Sequence, residues 1–210
     1  MKRSIENKVP VFCLIRARGG DFNYSSAEVD VMVEDITALA SAGADGFVIG
    51  ALTLDGSVDE AACASLVAAA PPNTPFTFHR AFDMAADPAA ALRAVGRLGC
   101  TRLLTSGQRK TAAEGSSLLR TLVSTAPEGV SIMAGGGVDE DNLRALLMET
   151  GVKEFHASAR VTLQSEMRFR NPHCSMGTDS REYDIKVTSE ERVKRMVAIF
   201  NEVTEGQRSS

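Results

Sequence analysis

The most constraining feature of this sequence is a glycine that recurs at one position relative to the predicted strands. It stands four residues before an apolar strand residue in three places, as Gly43–Phe47, Gly99–Leu103 and Gly151–Phe155. A glycine just after a helix can adopt the left-handed conformation, in which a side chain would clash. Three helix-to-strand joints with the same spacing predict a βα unit that is repeated with one geometry.

Six short apolar runs are predicted as strands with helices between them, at residues 9–16, 46–51, 75–83, 102–107, 130–137 and 154–160. The runs are mostly continuous rather than alternating, which is typical of parallel strands that are buried on both faces. Such units build either a (β/α) barrel or a doubly wound sheet. The barrel is favoured because no unit carries a GxGxxG dinucleotide fingerprint, and Gly135-Gly136-Gly137 does not match one.

Helix starts follow several of these strands. Ser25-x-x-Glu28 and Thr111-x-x-Glu114 fit capping boxes, and Asp87-Pro88 fits an N-cap followed by proline at the first helical position. These signals place helices after the first, third and fourth predicted strands, as a βα repeat requires.

The number of strands predicts an α/β fold, namely an incomplete TIM (β/α)8-type barrel with six parallel βα units visible. A complete barrel has eight strands and about 250 residues, whereas this chain has 210 residues. Because the first strand begins near Val9, the two other units are expected before it. The predicted domains are a polar lead at 1–8, a single partial barrel at 9–204 and a disordered tail at 205–210. Unpaired edge strands predict a homo-oligomer or aggregation.

Charge and composition exclude several classes of protein. The net charge of −4 and the pI near 5.5 argue against a general nucleic-acid binder. No apolar run approaches the roughly 20 residues that span a bilayer, and the polar start with Pro10 in the first apolar run is a poor signal peptide. The four cysteines show no CxxC pattern. A cytoplasmic protein with free thiols and no membrane contact is therefore predicted.

Five runs of the sequence resemble the CutC copper homeostasis family. They are LIRARGGDF at 14–22, GADGFVIGAL at 43–52, FTFHRAFDM at 76–84, LTSG at 104–107 and EFHASAR at 154–160. The resemblance extends from Val9 to about Phe200. It implies an eight-stranded barrel of which this chain begins at the third strand, a role in copper homeostasis, and copper as the bound ion.

Two departures from the family pattern are visible. Ala17 and Ala134 stand where the family usually has proline, before the Arg-Gly-Gly and Gly-Gly-Gly turns. The two absent units also carry the cysteines that are favoured as copper ligands in the family.

Ionisable residues at the ends of strands are the candidates for catalysis. His79, Arg80 and Asp83 end the third predicted strand, and Arg16 ends the first. Charged groups are costly at such places unless they are paired, and barrels build their sites at the carboxyl ends of strands. If the strand continues to Asp83, this carboxylate lies on the same face as His79 and favours the protonated imidazole. The alternative is a salt-bridged rim without chemistry.

An anion site is predicted beside these residues. The turn Gly135-Gly136-Gly137 would present backbone N–H groups, Thr105 and Ser106 would add hydroxyl donors, and Arg160 would lie on the last strand with His156. The loops after the last two strands of a barrel are its usual phosphate site. The alternatives are a tight glycine turn and arginines that pair with Asp21 or Asp83.

Soft metal ligands occur together once in the sequence. Cys174 has His173 and Met176 as neighbours in a long loop predicted at 161–187, of which 177–183 is expected to be mobile. This cluster is a candidate for copper(I), and an ordinary flexible loop is the alternative.

Two other functions compete with copper homeostasis. One is a TIM-barrel enzyme acting on a small phosphorylated or carboxylate metabolite, in which Arg16 and Arg80 hold the anion while His79 and Asp83 move a proton. The other is a truncated, non-catalytic form or fragment that acts only by assembling with other subunits.

Overall fold

The computed structural model describes residues 9–176 and 182–208, and the chain packs as two compact units. The first consists of Met1–Val138 and Ala145–His156, and the second of Asp139–Arg144 and Ala157–Ser210. The polar lead predicted at 1–8 lies outside the described residues. The prediction of a single domain over 9–204 is not tested by this division into units and stays a prediction.

The first unit contains six parallel strands that form one curved sheet. They are β1 (Phe12–Leu14), β2 (Gly46–Ile49), β3 (Phe76–Phe78), β4 (Arg102–Thr105), β5 (Ser131–Gly135) and β6 (Glu154–His156). Each strand pairs with the next one in the sequence, from β1 to β6. A doubly wound sheet would reverse this order at a switch point. The barrel-type sheet of six parallel strands is therefore confirmed, and its edges within the described residues are β1 and β6.

Helices follow these strands along the chain. They are α1 (Ser26–Ser41), α2 (Glu60–Ala68), α3 (Pro88–Arg97), α4 (Ser116–Thr125) and α5 (Leu143–Thr150). The capping box of Ser25 and Glu28 and the N-cap of Asp87 are confirmed. The box predicted at Thr111 forms a turn ahead of the helix instead, because α4 begins only after Gly115.

The glycines of the helix-to-strand joints have the predicted backbone. Gly43, Gly99 and Gly151 have φ angles of 88°, 72° and 73°, in the left-handed region that glycine adopts without strain. These three joints turn the chain from α1, α3 and α5 into β2, β4 and β6.

Residues of the sheet alternate between a closed core and an open side. Phe47, Ile49, Phe78 and Leu103 are fully buried and form the core together with helix residues Ile36, Leu66, Leu119 and Leu122. Their strand neighbours Val48, Thr77, Leu104 and Met133 line a cavity on the other side of the sheet. One face of the sheet is thus packed against helices, and the other borders an apolar lumen.

The third strand is shorter than predicted. It ends at Phe78, and a 3₁₀ helix takes over at Arg80–Met84. The reason is local, because the imidazole Nδ1 of His79 accepts a hydrogen bond from the backbone N–H of Ala81 at 3.1 Å, and the N–H of Phe82 donates to the carbonyl oxygen of His79. The chain therefore leaves the extended conformation at His79.

The second unit corrects two predictions about the end of the chain. The predicted strand 154–160 stops at His156, and Arg160 begins β7 (Arg160–Gln164), which pairs antiparallel with β8 (Asp184–Thr188). The predicted loop 161–187 therefore contains most of two strands. Part of the segment expected to be mobile, 177–181, lies outside the described residues.

A long helix completes the second unit. α6 (Glu190–Arg208) includes residues 205–208 of the segment 205–210 that the sequence assigned to a disordered tail, and residues 209–210 lie outside the described residues. Glu140 accepts hydrogen bonds from Arg192 at 2.7 Å and from Arg195 at 3.1 Å, and this pairing lowers the pKa of Glu140 to about 2. Among the described residues no helix is long and apolar enough to cross a membrane.

Candidate functional site

A cavity of about 600 Å³ lies on the open side of the sheet in the first unit. Much of its wall is apolar, from Pro10, Phe12, Leu14, Phe22, Val48, Leu104 and Met133. Its polar lining residues are Thr77 and five basic side chains, Arg16, His79, Arg80, Arg102 and His156. An apolar cavity with a few polar groups is the usual form of a small-molecule site, and here the ionisable lining residues are all basic.

Asp83 is the centre of a hydrogen-bond network at the ends of β3 and β4. Its carboxylate, of which 7% is exposed, pairs with the Nε of Arg80 at 2.6 Å. It also accepts from the hydroxyl of Thr105, from the hydroxyl and backbone N–H of Ser106 at 2.9 and 3.1 Å, and from the N–H of Gln108 at 3.2 Å. Through these hydrogen bonds the carboxylate connects the residues that follow β3 with the end of β4.

Arg80 connects this network to the glycine turn. Its Nη2 donates to the hydroxyl of Ser106 at 2.8 Å. A Cβ atom placed on Gly136, which has a φ of 103°, would lie only 3.0 Å from the Nη1 of Arg80. The structure thus brings together Arg80, Asp83, Ser106 and Gly136, as a strand-end site requires. Whether the turn of Gly135, Gly136 and Gly137 holds an anion stays a prediction.

His79 is oriented by the backbone instead of by the carboxylate that the sequence suggested. His79 is 5% exposed. The backbone N–H of Ala81 donates a hydrogen bond to the Nδ1 of its ring at 3.1 Å. Gly50 admits the ring, because a Cβ there would lie 2.5 Å from the Nδ1 and Cε1 of His79. Burial, followed by the nearby charge of Arg16, lowers the pKa of His79 to about 4. The imidazole is therefore neutral near pH 7, contrary to the expected protonated form.

Arg16 lies beside His79 and shares an aromatic neighbour with it. The guanidinium carbon of Arg16 lies 4.6 Å from the centre of the Phe22 ring, and the centres of the Phe22 and His79 rings are 5.1 Å apart. The Nη2 of Arg16 donates to the carbonyl oxygen of Gly20 at 2.6 Å. Phe22 was missed by the sequence analysis, although an aromatic residue directly after a Gly-Gly-Asp turn at a strand end was a usable signal.

The remaining candidates for anion binding are divided between the two units. His156 ends β6 and lines the cavity, and desolvation lowers its pKa. Arg160 belongs to the second unit, where its carbonyl oxygen accepts a hydrogen bond from Arg192 at 2.7 Å. The two residues do not share one strand, so the predicted common face of His156 and Arg160 is wrong.

The soft metal ligands occupy different surroundings. His173, Cys174 and Met176 are exposed residues of the second unit. Cys63 and Cys100 are buried in the first unit, and desolvation raises the pKa of each thiol to about 12. In the part of the chain that the structure describes, no three His, Cys, Asp or Glu side chains are grouped to hold a metal ion.

Comparisons with known proteins point to one family. The sequence model of the CutC family matches residues 1–161. The copper homeostasis protein cutC homologs of Mus musculus and Homo sapiens are 46% and 45% identical over 205 residues, which is 97% of this chain and 74% of each relative. The crystal structure of CutC from Streptococcus agalactiae matches with a TM-score of 0.70 and 33% identity, over 74% of this chain and 76% of that one.

Proposed function

Because the chain belongs to the CutC family, we propose that it functions in copper homeostasis. The observation that carries this proposal is the 45–46% identity, over 97% of the chain, with mouse and human relatives that bear this name. The TM-score of 0.70 with a CutC structure, at 33% sequence identity, supports it.

Copper tolerance of cells tests this proposal. Cells from which the gene for this chain has been deleted should stop growing at a severalfold lower copper concentration, and their total copper should change. Expression of the chain should restore both quantities, while tolerance to zinc and cobalt should stay the same. Unchanged copper tolerance and unchanged copper content in the deletion strain would contradict a role in copper homeostasis.

Direct binding of copper is the finer part of the proposal. Copper(I) prefers thiolate and thioether ligands, and a thiol must lose its proton to bind a metal. Cys63 and Cys100 are poor ligands in the folded chain, because their thiols have pKa values of about 12. The exposed Cys174, with His173 and Met176, is the better candidate, although its exposure offers no enclosed site.

We therefore expect weak binding of copper(I) by the chain. In a titration under reducing conditions, a competing copper(I) chelator should remove the metal completely, because among the described residues no three His, Cys, Asp or Glu side chains are grouped to hold an ion. Cys174→Ser should lower the residual binding, and Cys13→Ser serves as the matched control on a half-buried thiol of the first unit. One equivalent of copper that survives the chelator, and is lost on Cys174→Ser, would show that the loop is a tight site.

Location and assembly complete the proposal. A cytoplasmic protein agrees with the four free cysteines, since reducing compartments keep thiols unpaired. A homo-oligomer agrees with the two edge strands of the sheet and with the 61% exposure of Leu14 on β1. Light scattering that shows a monomer at high concentration would contradict the oligomer.

A further inference from the structure

Two hydrogen-bond donors in the wall of the cavity have no acceptor. They are the Nε of Arg16 and the Nε2 of His79, and both atoms are out of contact with solvent. Among the described residues only one further buried side-chain atom is in this condition, the hydroxyl of Tyr24, and Tyr24 does not line the cavity. Buried polar groups without a partner are rare and costly in folded proteins, so a pair of them in one cavity wall calls for an explanation.

A backbone hydrogen bond determines which ring nitrogen of His79 carries the proton. The N–H of Ala81 donates to Nδ1, so Nδ1 has a free lone pair and the neutral ring carries its proton on Nε2. Nε2 is therefore a donor, as is the Nε of arginine at every accessible pH. Neither atom offers a lone pair to a metal ion. Both require an oxygen that accepts.

The two donor side chains share one aromatic neighbour. Both side chains contact the Phe22 ring, at 4.6 Å from its centre for the guanidinium of Arg16 and 5.1 Å for the ring of His79. The other two arginines of the cavity wall are already paired, Arg80 with Asp83 and Arg102 with Glu154. Arg16 donates to the carbonyl oxygen of Gly20, and its positive charge also lowers the pKa of the exposed Asp21, whose carboxylate forms its ion pair with Arg18.

We propose that the cavity binds the carboxylate of a small organic acid, whose oxygens accept hydrogen bonds from the Nε of Arg16 and the Nε2 of His79. One cationic and one neutral donor suit a group with a single negative charge, whereas a phosphate dianion would bury a second negative charge. The apolar wall of Leu14, Val48 and Met133 then contacts the hydrocarbon part of the acid. Because both nitrogens are buried, side chains of the cavity wall must shift for the acid to reach them.

This site does not depend on the role in copper homeostasis, since it uses neither a thiol nor a metal ion. It also differs from proton transfer by His79 and Asp83. The carboxylate of Asp83 is occupied by Arg80, Thr105, Ser106 and Gln108, and His79 acts as a neutral donor.

Calorimetric titration of the whole chain with acetate, 3-methylbutanoate and benzoate tests the site. We expect the two larger acids to bind more tightly than acetate, and benzoate to bind at least about tenfold more tightly than the neutral benzamide, because hydrogen bonds from charged donors favour an anion. Arg16→Lys keeps the charge but removes the Nε donor, and His79→Leu removes the Nε2 donor. Each substitution should lower the affinity for benzoate about tenfold. Arg97→Met, which removes an exposed arginine on α3 that pairs with Glu60, should leave its affinity unchanged.

A second measurement works even if a variant fails to fold. The chain has three histidines, so nitrogen NMR of histidine-labelled wild-type protein resolves each ring. The signals of His79 should show the proton on Nε2, and benzoate should shift that Nε2 signal more than those of His156 and His173. The proposal is overturned if none of the three acids binds, if benzamide or inorganic phosphate binds as tightly as benzoate, or if the proton of His79 lies on Nδ1.

Discussion

Replacing Asp83 with alanine is expected to lower the free energy of unfolding by about 4 kcal/mol. The substitution leaves several donors without an acceptor at once, among them the hydroxyl of Thr105 and the backbone N–H groups of Ser106 and Gln108. Removing one partner of a buried, hydrogen-bonded charge typically costs about 3–5 kcal/mol, and each stranded buried donor about 1–3 kcal/mol. Arg80 recovers part of the loss, because its side chain is 41% exposed and can turn toward water. Urea unfolding followed by circular dichroism measures the change.

The chain contains a matched control for this experiment. Arg18 and Asp21 also form an ion pair at a spacing of three residues, but the side chain of Asp21 is 72% exposed. Asp21→Ala should cost less than about 1 kcal/mol, since exposed pairs contribute little. Asp83→Asn keeps one acceptor oxygen and should fall between the two alanine variants. Equal losses for Asp83→Ala and Asp21→Ala would show that the strand-end network does not support the fold.

The βα repeat could be predicted from the sequence because its signals are local. A glycine directly after a helix commonly adopts the left-handed conformation for local reasons, and Gly43, Gly99 and Gly151 all show it. The capping box of Ser25 and Glu28 is likewise complete within four residues. The strand count and the parallel order follow from repeating such units.

The misassigned segments depend on contacts that a local pattern does not contain. β3 ends at Phe78 because the side chain of His79 accepts a hydrogen bond from the backbone N–H of Ala81. The alternating pattern of the sequence does not predict this hydrogen bond. The pairing of β7 with β8 joins Arg160 to Thr188 across a long connection. β7 and β8 each contain five residues, which is too short a segment for a sequence pattern to predict both the strand and the strand with which it pairs.

The strand-end location of the candidate residues was predictable, but their pairing was not. Arg16, His79, Arg80 and Asp83 all lie at carboxyl ends of strands or directly after them, as in other barrels. The sequence placed Asp83 beside His79 on the assumption of a continuing strand. The 3₁₀ helix instead turns the carboxylate toward Arg80 and the end of β4, and burial makes His79 a neutral donor.

Acidification should destabilise the chain through His79 at a pH where most carboxylates are still ionised. The pKa of His79 is about 4 in the folded chain and near 6.5 in the unfolded one. Between these values the unfolded state binds more protons, so stability is complete above pH 6.5 and falls as the pH drops toward 4. A difference of this size corresponds to about 3 kcal/mol. In more acidic solution the protonation of Glu140 lowers the stability further, since its pKa is about 2 in the folded chain.

Urea unfolding of wild-type and variant chains at pH 7, 6, 5 and 4.5 isolates this contribution. The charge of Arg16 acts on His79, persists throughout this range and opposes protonation of the ring. His79→Leu removes the titrating group, so its free energy of unfolding should change less between pH 7 and 4.5 than that of the wild type. His156, whose pKa is also lowered, adds a loss in the same direction, and His156→Leu measures it separately. If the wild type and His79→Leu lose stability in parallel over this range, His79 is not held neutral by burial.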